Sequence, residues 1–589
     1  MYERKGNLVE GVFKKYFLPT ILMAMALSMG IIIDGIIVGN TIGSDALAAV
    51  NLVMPVTLCF NTIYALFGVG GAALASIAKG QRDNLRADAV FTISILSMLA
   101  LSIILLVVGS VYLDEIARML SGGGALQNLV RDFLRVLMYG APLLIVTPGF
   151  VYFVRTDGKP NLASAVLIVA NVVNLCLDLV YILVFDMGIA GAALATVTGY
   201  AVGFFMLFKY IFSKDRNLHF SIKKGTAKIA GQIAASGIPS AIGTFLLFVR
   251  ISFVNSIVLQ TIGQTGMVAF SVCLSCLSFV SMFIAGASQT MMPIVGTLYG
   301  EKDTSGIRFT AYKALRVVMI ACLVLVALFE AFPQEILFLF GVTGTEEIAL
   351  GVQAIRVFAL SLIGTGFSFL MMYYFQTIQR RALSSAVSIV QGVAVVVPCA
   401  YILSGAWGSL GIWISFLLAE IGTFILIRVA TAVISGRSGG RLKGFFLVDA
   451  QKEQPPVLDV TIANEKSQAT GISEKVIRFC REHGAGERTA SHVGLAVEEM
   501  AVNTIEHGYK KGRKSSIDIR LRISNEDIII AIRDDGVPFD PTSYRPEEKE
   551  KYSVSGIGLV RAIAKSMDYS RLLGMNSTII KISLPEAGR

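Results

Sequence analysis

Twelve apolar stretches follow one another through the first three quarters of the chain, each closed by a short polar or charged segment. A bilayer core about 30 Å thick is crossed by roughly 20 apolar residues in a helix. The pattern therefore predicts spans near 16–39, 46–70, 89–111, 133–154, 161–184, 188–211, 233–258, 266–289, 309–331, 355–377, 383–404 and 409–433. Beyond residue 450 the period changes. LDVTI reads as a short strand, and helical spacing follows over about 466–483 and 487–509. SSIDIRLRIS and DIIIAIRD alternate as a strand pair turning at Asn525–Glu526–Asp527. A charged loop (541–554), a helix SGIGLVRAIAKSM and strands SRLLG and TIIKISLP complete the chain. The predicted fold is an all-α polytopic membrane domain over 1–433, a linker over 434–457, and an α/β sandwich domain over 458–589.

Composition sharpens this division. With 54% hydrophobic and 16% charged residues, the chain is too apolar for one soluble globule or a disordered polymer. Residues 451–589 hold 21 basic and 20 acidic groups, against 30 and 21 in the far longer remainder. Basic residues gather at the N-terminus (Arg4, Lys5, Lys14, Lys15) and after the even-numbered spans, among them Lys79, Arg82, Arg155, Lys159, Lys223, Lys224, Lys302, Arg380, Arg381 and Arg437. The positive-inside rule then puts both termini in the cytoplasm, as an even span count requires. The N-terminus has no small-residue cleavage site, which disfavours a cleaved signal peptide. Seven cysteines, six of them in apolar runs, argue against a disulfide framework, and Cys273 and Cys276 read as packing. Lys443, Phe445 and Phe446 in the linker suit the membrane surface.

The spans repeat. GVGGAALASIAKGQRD (68–83) lies over GASQTMMPIVGTLYGEKD (286–303), placing Gly80 on Gly300 and Asp83 on Asp303, and SAVLIV (164–169) lies over SAVSIV (385–390). The offset is nearly the same at both places. It predicts two six-helix lobes of like orientation, an arrangement that suits alternating access to a site between them.

Polar groups inside spans are costly and so mark function. Asp34 interrupts span one, Asn171, Asn174 and Asp178 interrupt span five, and Thr196 lies in span six. Asn174 and Asp178, four apart, share a helix face. Two carboxylates with amide and hydroxyl oxygens suit Na⁺ or a proton. At the repeat positions the second half has Gly392, Val395 and Cys399, so the cluster is expected in one lobe only; Glu330 and Glu420 are read as lying near span ends.

These residues, within IDGIIVGNTIGSDALAAVNLVMPV, GGAALASIAKGQRD, NVVNLCLDLVYIL and GIAGAALATVTGY, resemble the multidrug and toxic compound extrusion (MATE) family over the first 440 residues. The resemblance implies cation-coupled antiport, with H⁺ or Na⁺ entering as an amphipathic, often cationic compound leaves. It assigns the coupling cation to Asp34, Asn174, Asp178 and Thr196. Relatives with acidic residues in the C-terminal lobe have no matching mid-span residue here, which favours the N-terminal lobe.

Three motifs mark the tail. Glu499, Asn503 and His507 follow at steps of four on one helix face, where a carboxylate can act as general base and an amide oxygen can hold Mg²⁺. Asp534-Asp535-Gly536 ends a strand, suiting an adenine amino group with close approach at the glycine. Ser555-Gly556-Ile557-Gly558-Leu559 opens a helix, where bare N–H groups face a phosphate. In this order they resemble the GHKL ATPase/kinase superfamily, nearest its anti-sigma-factor serine kinases. That resemblance implies Mg-ATP as cofactor, Glu499 as catalytic base, Asn503 as Mg²⁺ ligand, Asp534 as adenine contact, and Gly536, Gly556, Gly558 and Leu559 as nucleotide loops. Val537-Pro538 replaces the second glycine of the usual DxGxG loop. His219, His483 and His492 read as ordinary surface or linker histidines.

No GxxxxGK[ST] occurs, so a P-loop motor is not expected to drive transport. The expected protein is a cation-coupled exporter of amphipathic compounds in a bacterial inner membrane with a cytoplasmic ATP-binding regulatory domain. Its partners are the bilayer, a small organic substrate and a cytoplasmic protein at the tail, with no nucleic acid. The alternative is a membrane-anchored protein-serine kinase or anti-sigma-type switch that uses the transporter half as a sensor.

Overall fold

A computed structural model of the chain describes residues 6–223, 227–449, 456–509, 515–524, 526–543 and 556–584, except the side chains of residues 31, 32 and 44. Arg4, Lys5, Lys224, Asn525, Ser555 and loop residues 544–554 lie outside the described residues. The chain divides into two compact units: Lys15–Gly439 with Lys443–Val448, and Asp449–Arg589 with Met1–Lys14 and Gly440–Leu442.

Among the described residues, twelve helices are long and apolar enough to cross a membrane: α1 (Asn7–Thr41), α2 (Asp45–Gly80), α3 (Asn84–Val111), α4 (Gln127–Thr156), α5 (Pro160–Val184), α6 (Gly188–Ile211), α7 (Ala227–Thr261), α8 (Gln264–Gly300), α9 (Thr304–Ala331), α10 (Thr345–Thr377), α11 (Arg381–Trp407) and α12 (Ser409–Arg437). Three carry a π turn, at Ala65–Val69, Val180–Val184 and Val390–Ala394. The repeat extends to fine detail. The shift that carries Gly80 onto Gly300 also carries both ends of α3 onto those of α9, and the start of the short connecting helix Leu113–Ser121 onto that of Pro333–Leu339. Asp83 caps α3 by accepting from the Arg86 N–H at 3.0 Å, and Asp303 caps α9 through the Gly306 N–H at 2.9 Å. Arg82 and Lys302, one residue before each cap, both take positive φ (60° and 57°).

Several helices run well beyond the expected spans: α1 and α10 start earlier, and α2 and α8 end later. The stretches GGAALASIAKG and MMPIVGTLYG, with glycines at 70, 71, 80, 296 and 300, complete α2 and α8. Their composition serves close approach. A Cβ at Gly80 would overlap the Thr297 carbonyl, one at Gly300 the Ile77 carbonyl, and one at Gly296 the Ser76 hydroxyl. The two glycines aligned by the repeat thus meet where the two halves touch. Nearby, Lys79 and Arg155 are buried rather than free loop charges. Lys79 pairs with Asp157, which also accepts from Tyr210 Oη (2.8 Å) and from the Asn217 N–H (2.9 Å) and side-chain amide (3.1 Å).

The linker corrects another expectation. Helix α12 runs on to Arg437, and a hairpin of Leu442–Lys443 and Val448–Asp449 follows. Phe446 at its tip is buried, not spread on a membrane surface. Its ring packs edge-on against Tyr312 and Tyr374, each 5.0 Å away, and its carbonyl accepts from Tyr374 Oη at 2.7 Å. Phe445 lies 5.7 Å from both Phe367 and Phe424.

In the tail, five antiparallel strands form one sheet: β1 (Val457–Ala463), β2 (Ser516–Ile523), β3 (Asp527–Asp534), β4 (Ser566–Leu572) and β5 (Met575–Ser583), in the spatial order β1-β2-β3-β5-β4. Alternate residues Val460, Ile517, Ile519, Ile528, Ile530 and Ile580 join Val476, Val493 and Val497 of α13 (Lys466–Glu482) and α14 (Glu487–His507) in one core. The helix over SGIGLVRAIAKSM is shorter than expected. It spans Gly556–Ile563 (α15), because the Lys565 N–H already donates to Lys581 at 2.7 Å and β4 starts pairing with β5 at Ser566.

Candidate functional site

In the first half, Gly30 of α1 sits against Asn171 of α5, where a Cβ would come within 2.5 Å of the amide oxygen. A Cβ at Gly199 of α6 would overlap the Ala170 carbonyl and come within 3.1 Å of Asn174 Cβ. These approaches gather the polar residues of three helices. Asn174 Nδ2 donates to Asp178 Oδ2 at 3.4 Å and to Thr196 Oγ1 at 3.2 Å. Asp34 of α1 comes within hydrogen-bond reach of Asp178. Asp178 is fully buried and Asn174 nearly so, whereas Asp34 and Thr196 are half-buried. One oxygen of each carboxylate, Asp34 Oδ1 and Asp178 Oδ1, is shielded from solvent without a hydrogen-bond partner. Asn171 stands apart from the cluster, its amide donating to Leu167 O at 2.9 Å.

Among the described residues no Lys or Arg forms an ion pair with either aspartate. A buried carboxylate and a half-buried one side by side disfavour the doubly charged state unless a cation joins them. The orphaned oxygens and the Thr196 hydroxyl are hard oxygen groups that could hold a proton or a small hard cation, with Asn174 Nδ2 bonded to Asp178 and Thr196. No group of three or more His, Cys, Asp or Glu among the described residues is placed to hold a metal.

The second half also holds a polar cluster, against expectation. Glu420 lies deep within α12 and is buried. It accepts from Thr365 Oγ1 (2.8 Å) and Ser368 Oγ (2.7 Å) of α10, and from Gln391 Nε2 of α11 (3.0 Å). Gly364 makes room for it, since a Cβ there would strike the Glu420 side chain. Arg250 of α7, also buried, places Nη1 3.5 Å from the backbone carbonyl of Gln391, the residue whose side-chain amide bonds Glu420. The repeat-aligned positions Gly392, Val395 and Cys399 conceal this cluster because it is built from other positions of the mate helices. The available signal was Glu420 itself, flanked on both sides by apolar sequence in SFLLAEIGTFILI.

In the tail, α14 carries Glu499 and Asn503 one turn apart, and α15 begins directly opposite. A Cβ at Gly556 would collide with the Glu499 carboxylate and lie 3.5 Å from Asn503 Nδ2. Asn503 Nδ2 donates to the Glu499 carbonyl at 2.8 Å, so its amide oxygen remains the group to offer a cation. Gly558 is exposed and Leu559 half-buried on α15. His507 is exposed at the end of α14 and stands outside this grouping.

Asp534 is buried at the end of β3, where Oδ1 accepts from the Gly536 N–H and from Asn576 Nδ2, both at 2.8 Å. Burial raises its carboxyl above the ordinary value, an effect the Asn576 and Gly536 bonds partly offset. Asn576 was not anticipated. Directly opposite Asp534 in the β3–β5 register, it also donates to the Val537 carbonyl at 2.8 Å. Its oxygen accepts from Tyr569 Oη (2.9 Å) and Arg571 (3.0 Å). The glycine cradle beside Glu499 and Asn503 and the carboxylate at the strand end are groups that fit a nucleotide and its metal.

The chain matches the family profile MatE over residues 19–180 and 239–402, two stretches whose starts are related by the same shift as Gly80 and Gly300. It matches the profile Histidine kinase-like ATPase domain over 462–583. It is similar to Multidrug export protein MepA of Staphylococcus haemolyticus (strain JCSC1435), 26% identical over 395 residues that cover 65% of this chain and 84% of that protein. The protein of the same name from Staphylococcus saprophyticus is 23% identical over 423 residues, covering 71% and 92%. Among solved structures, MATE in the straight conformation superimposes with a TM-score of 0.68 at 22% identity, covering 73% of this chain and 96% of that one. The outward-facing conformation of a multidrug resistance MATE family transporter of the MOP superfamily gives 0.66 at 22% identity, covering 72% and 96%. At that identity the likeness is one of fold.

Proposed function

The chain belongs to the MatE family, and from that premise we propose that it is a cation-coupled antiporter exporting amphipathic organic compounds under the influence of an ATP-binding tail. It is a multi-pass membrane protein with a histidine kinase-like ATPase domain. The observation that carries the proposal is the Asp34–Asp178 pair with its orphaned oxygens. H⁺ or Na⁺ loading there, from Asp34 and Asp178 with Asn174 and Thr196, removes a like-charge repulsion between α1 and α5. The packing of those helices then has two states of different charge, and cation occupancy selects between them. Export of a cargo taken up between the halves follows from their rocking. The meeting of α2 and α8 at Gly80 and Gly300, next to loops rich in basic residues, supports a state closed on the cytoplasmic side, with both termini on that side of a bacterial inner membrane.

In the tail, Asp534 would hold the adenine amino group. Gly536, Gly556, Gly558 and Leu559 would let the phosphates approach, and the Asn503 amide oxygen would hold Mg²⁺. Bound Mg-ATP supplies a transferable phosphoryl group, and Glu499 is the residue beside it able to accept a proton from an attacking hydroxyl or water. That constellation also favours a second reading, in which the tail phosphorylates a serine of a cytoplasmic partner and the membrane half acts as its sensor. The deciding experiment is efflux of a dye from vesicles holding the full chain, under imposed pH or Na⁺ gradients, with and without ATP. Gradient-driven efflux that ATP modulates is expected. Efflux indifferent to both gradients would sink the antiport reading, and absence of nucleotide binding would sink the role of the tail.

A further inference from the structure

The repeat relates α1, α5 and α6 to α7, α11 and α12. In the first half this triple supplies Asp34, Asn174 with Asp178, and Thr196. In the second it supplies Arg250, Gln391 and Glu420, and α10 adds Thr365 and Ser368. Each set centres on a buried carboxylate bonded to an amide from the fifth helix of its half, at 3.4 Å in the first and 3.0 Å in the second. The charges differ. The first half brings two carboxylates together with no protein cation among the described residues. The second sets one carboxylate opposite one guanidinium.

Arg250 is not an ordinary surface charge that happens to point inward. It is 8% exposed, its Nη1 lies 3.5 Å from the Gln391 carbonyl, and its Cζ lies 5.8 Å from the centre of the Phe416 ring on α12. Its Nε has no hydrogen-bond partner. Glu420 has its hydrogen bonds from neutral donors on α10 and α11, and Gln391 links it to the guanidinium: its side-chain amide bonds the carboxylate at 3.0 Å and its backbone carbonyl lies 3.5 Å from Arg250 Nη1. A buried carboxylate deprived of its counter-charge must take up a proton or a metal cation.

We propose that Arg250 is the resident cation of the second half, holding beside Glu420 the charge that Asp34 and Asp178 draw from solution, and so confining cation loading to the first half. Glu420 then stays occupied through the cycle, and the second half transports no cation. The proposal rests on the cation-coupled reading above.

The test measures cations exchanged per cargo in vesicles containing the full chain, with ethidium as cargo and the ratio read from the gradient at which net flux reverses. Arg250→Met should raise the ratio by one cation, because Glu420 recruits one. Arg250→Lys and the paired Arg250→Met/Glu420→Gln should keep the wild-type ratio. Glu420→Gln alone should keep it too, which gives a readout if Arg250→Met fails to fold. A folded Arg250→Met protein with the wild-type ratio overturns the proposal, as does a Glu420→Gln ratio lowered by one. Asp178→Asn separates the two claims: if it still exchanges cations, the coupling reading fails irrespective of Arg250.

Discussion

Asp34 of α1 and Asp178 of α5 reach each other inside the first half, and each keeps one shielded oxygen without a hydrogen-bond partner. Asn174 and Thr196 complete the grouping but leave both of these oxygens unbonded. The pair is therefore built with spare acceptor capacity, and a buried acceptor left unmade is costly. A cation is the simplest occupant that satisfies both residues at once.

Replacing either residue removes half of that capacity and one charge. Asp34→Asn and Asp178→Asn should each abolish gradient-driven dye efflux while leaving the amount of folded protein in the membrane unchanged. Normal efflux in both single variants, with expression matched by immunoblot, contradicts this assignment.

In the tail, Glu499→Gln keeps the shape of the side chain and loses the base. ATP turnover or phosphoryl transfer should fall by about 100-fold or more, with nucleotide binding retained. Asn503→Ala should instead remove the Mg²⁺ dependence of binding. Calorimetry on the full chain with and without Mg²⁺ distinguishes the two effects.

The raised carboxyl of Asp534 has consequences of opposite sign for folding and for binding. A buried acid whose folded value exceeds its unfolded one adds stability that is fully present below the unfolded value and lost as pH rises through the folded one. Adenine recognition needs the ionised form as acceptor, so nucleotide affinity should fall as pH is lowered through the raised value. Asp534→Asn should flatten the pH dependence of affinity and bind weakly throughout. Affinity that rises on acidification contradicts the adenine role.

Asn576 holds the Asp534 carboxylate in place while also bonding the Val537 carbonyl. Hydrogen bonds to a charged group contribute roughly 1.5–3 kcal/mol. Asn576→Ala should therefore weaken nucleotide binding by about tenfold or more, with the sheet retained by circular dichroism.

Phe446 anchors the hairpin after α12 through the rings of Tyr312 and Tyr374. Truncating a buried phenylalanine costs on the order of 3 kcal/mol. Phe446→Ala should speed tryptic cleavage at the exposed Arg441 and Lys443 well before the helices unfold.

Much of this was legible in the sequence because it depends on local period and offset. Apolar runs mark the twelve helices, alternation marks β2 and β3, and the offset that lays Gly80 on Gly300 anticipates the twin caps at Asp83 and Asp303. What escaped depends on distant parts of the chain. The small-residue end of α2 and the glycine-interrupted end of α8 lie past the spans the sequence marks, and each supplies surface the other packs against. Glu420 passes for a span-end charge until Thr365, Ser368 and Gln391 converge on it from two other helices. Asn576 is one of many polar residues in a strand until β5 registers it opposite Asp534. Phe446 reads as a lipid-facing aromatic because nothing nearby in sequence reveals Tyr312 or Tyr374.

The contact of Gly80 with Gly300 has a mechanical corollary. Backbone touches backbone there, which excludes solvent as well as any interlocked seam. Yet glycines present almost no apolar area, and burial of such area is what makes surfaces adhere, at about 25 cal/mol per Å². At the two glycines themselves the joint is tight in fit and slight in grip, because neither residue adds a side chain to the seam.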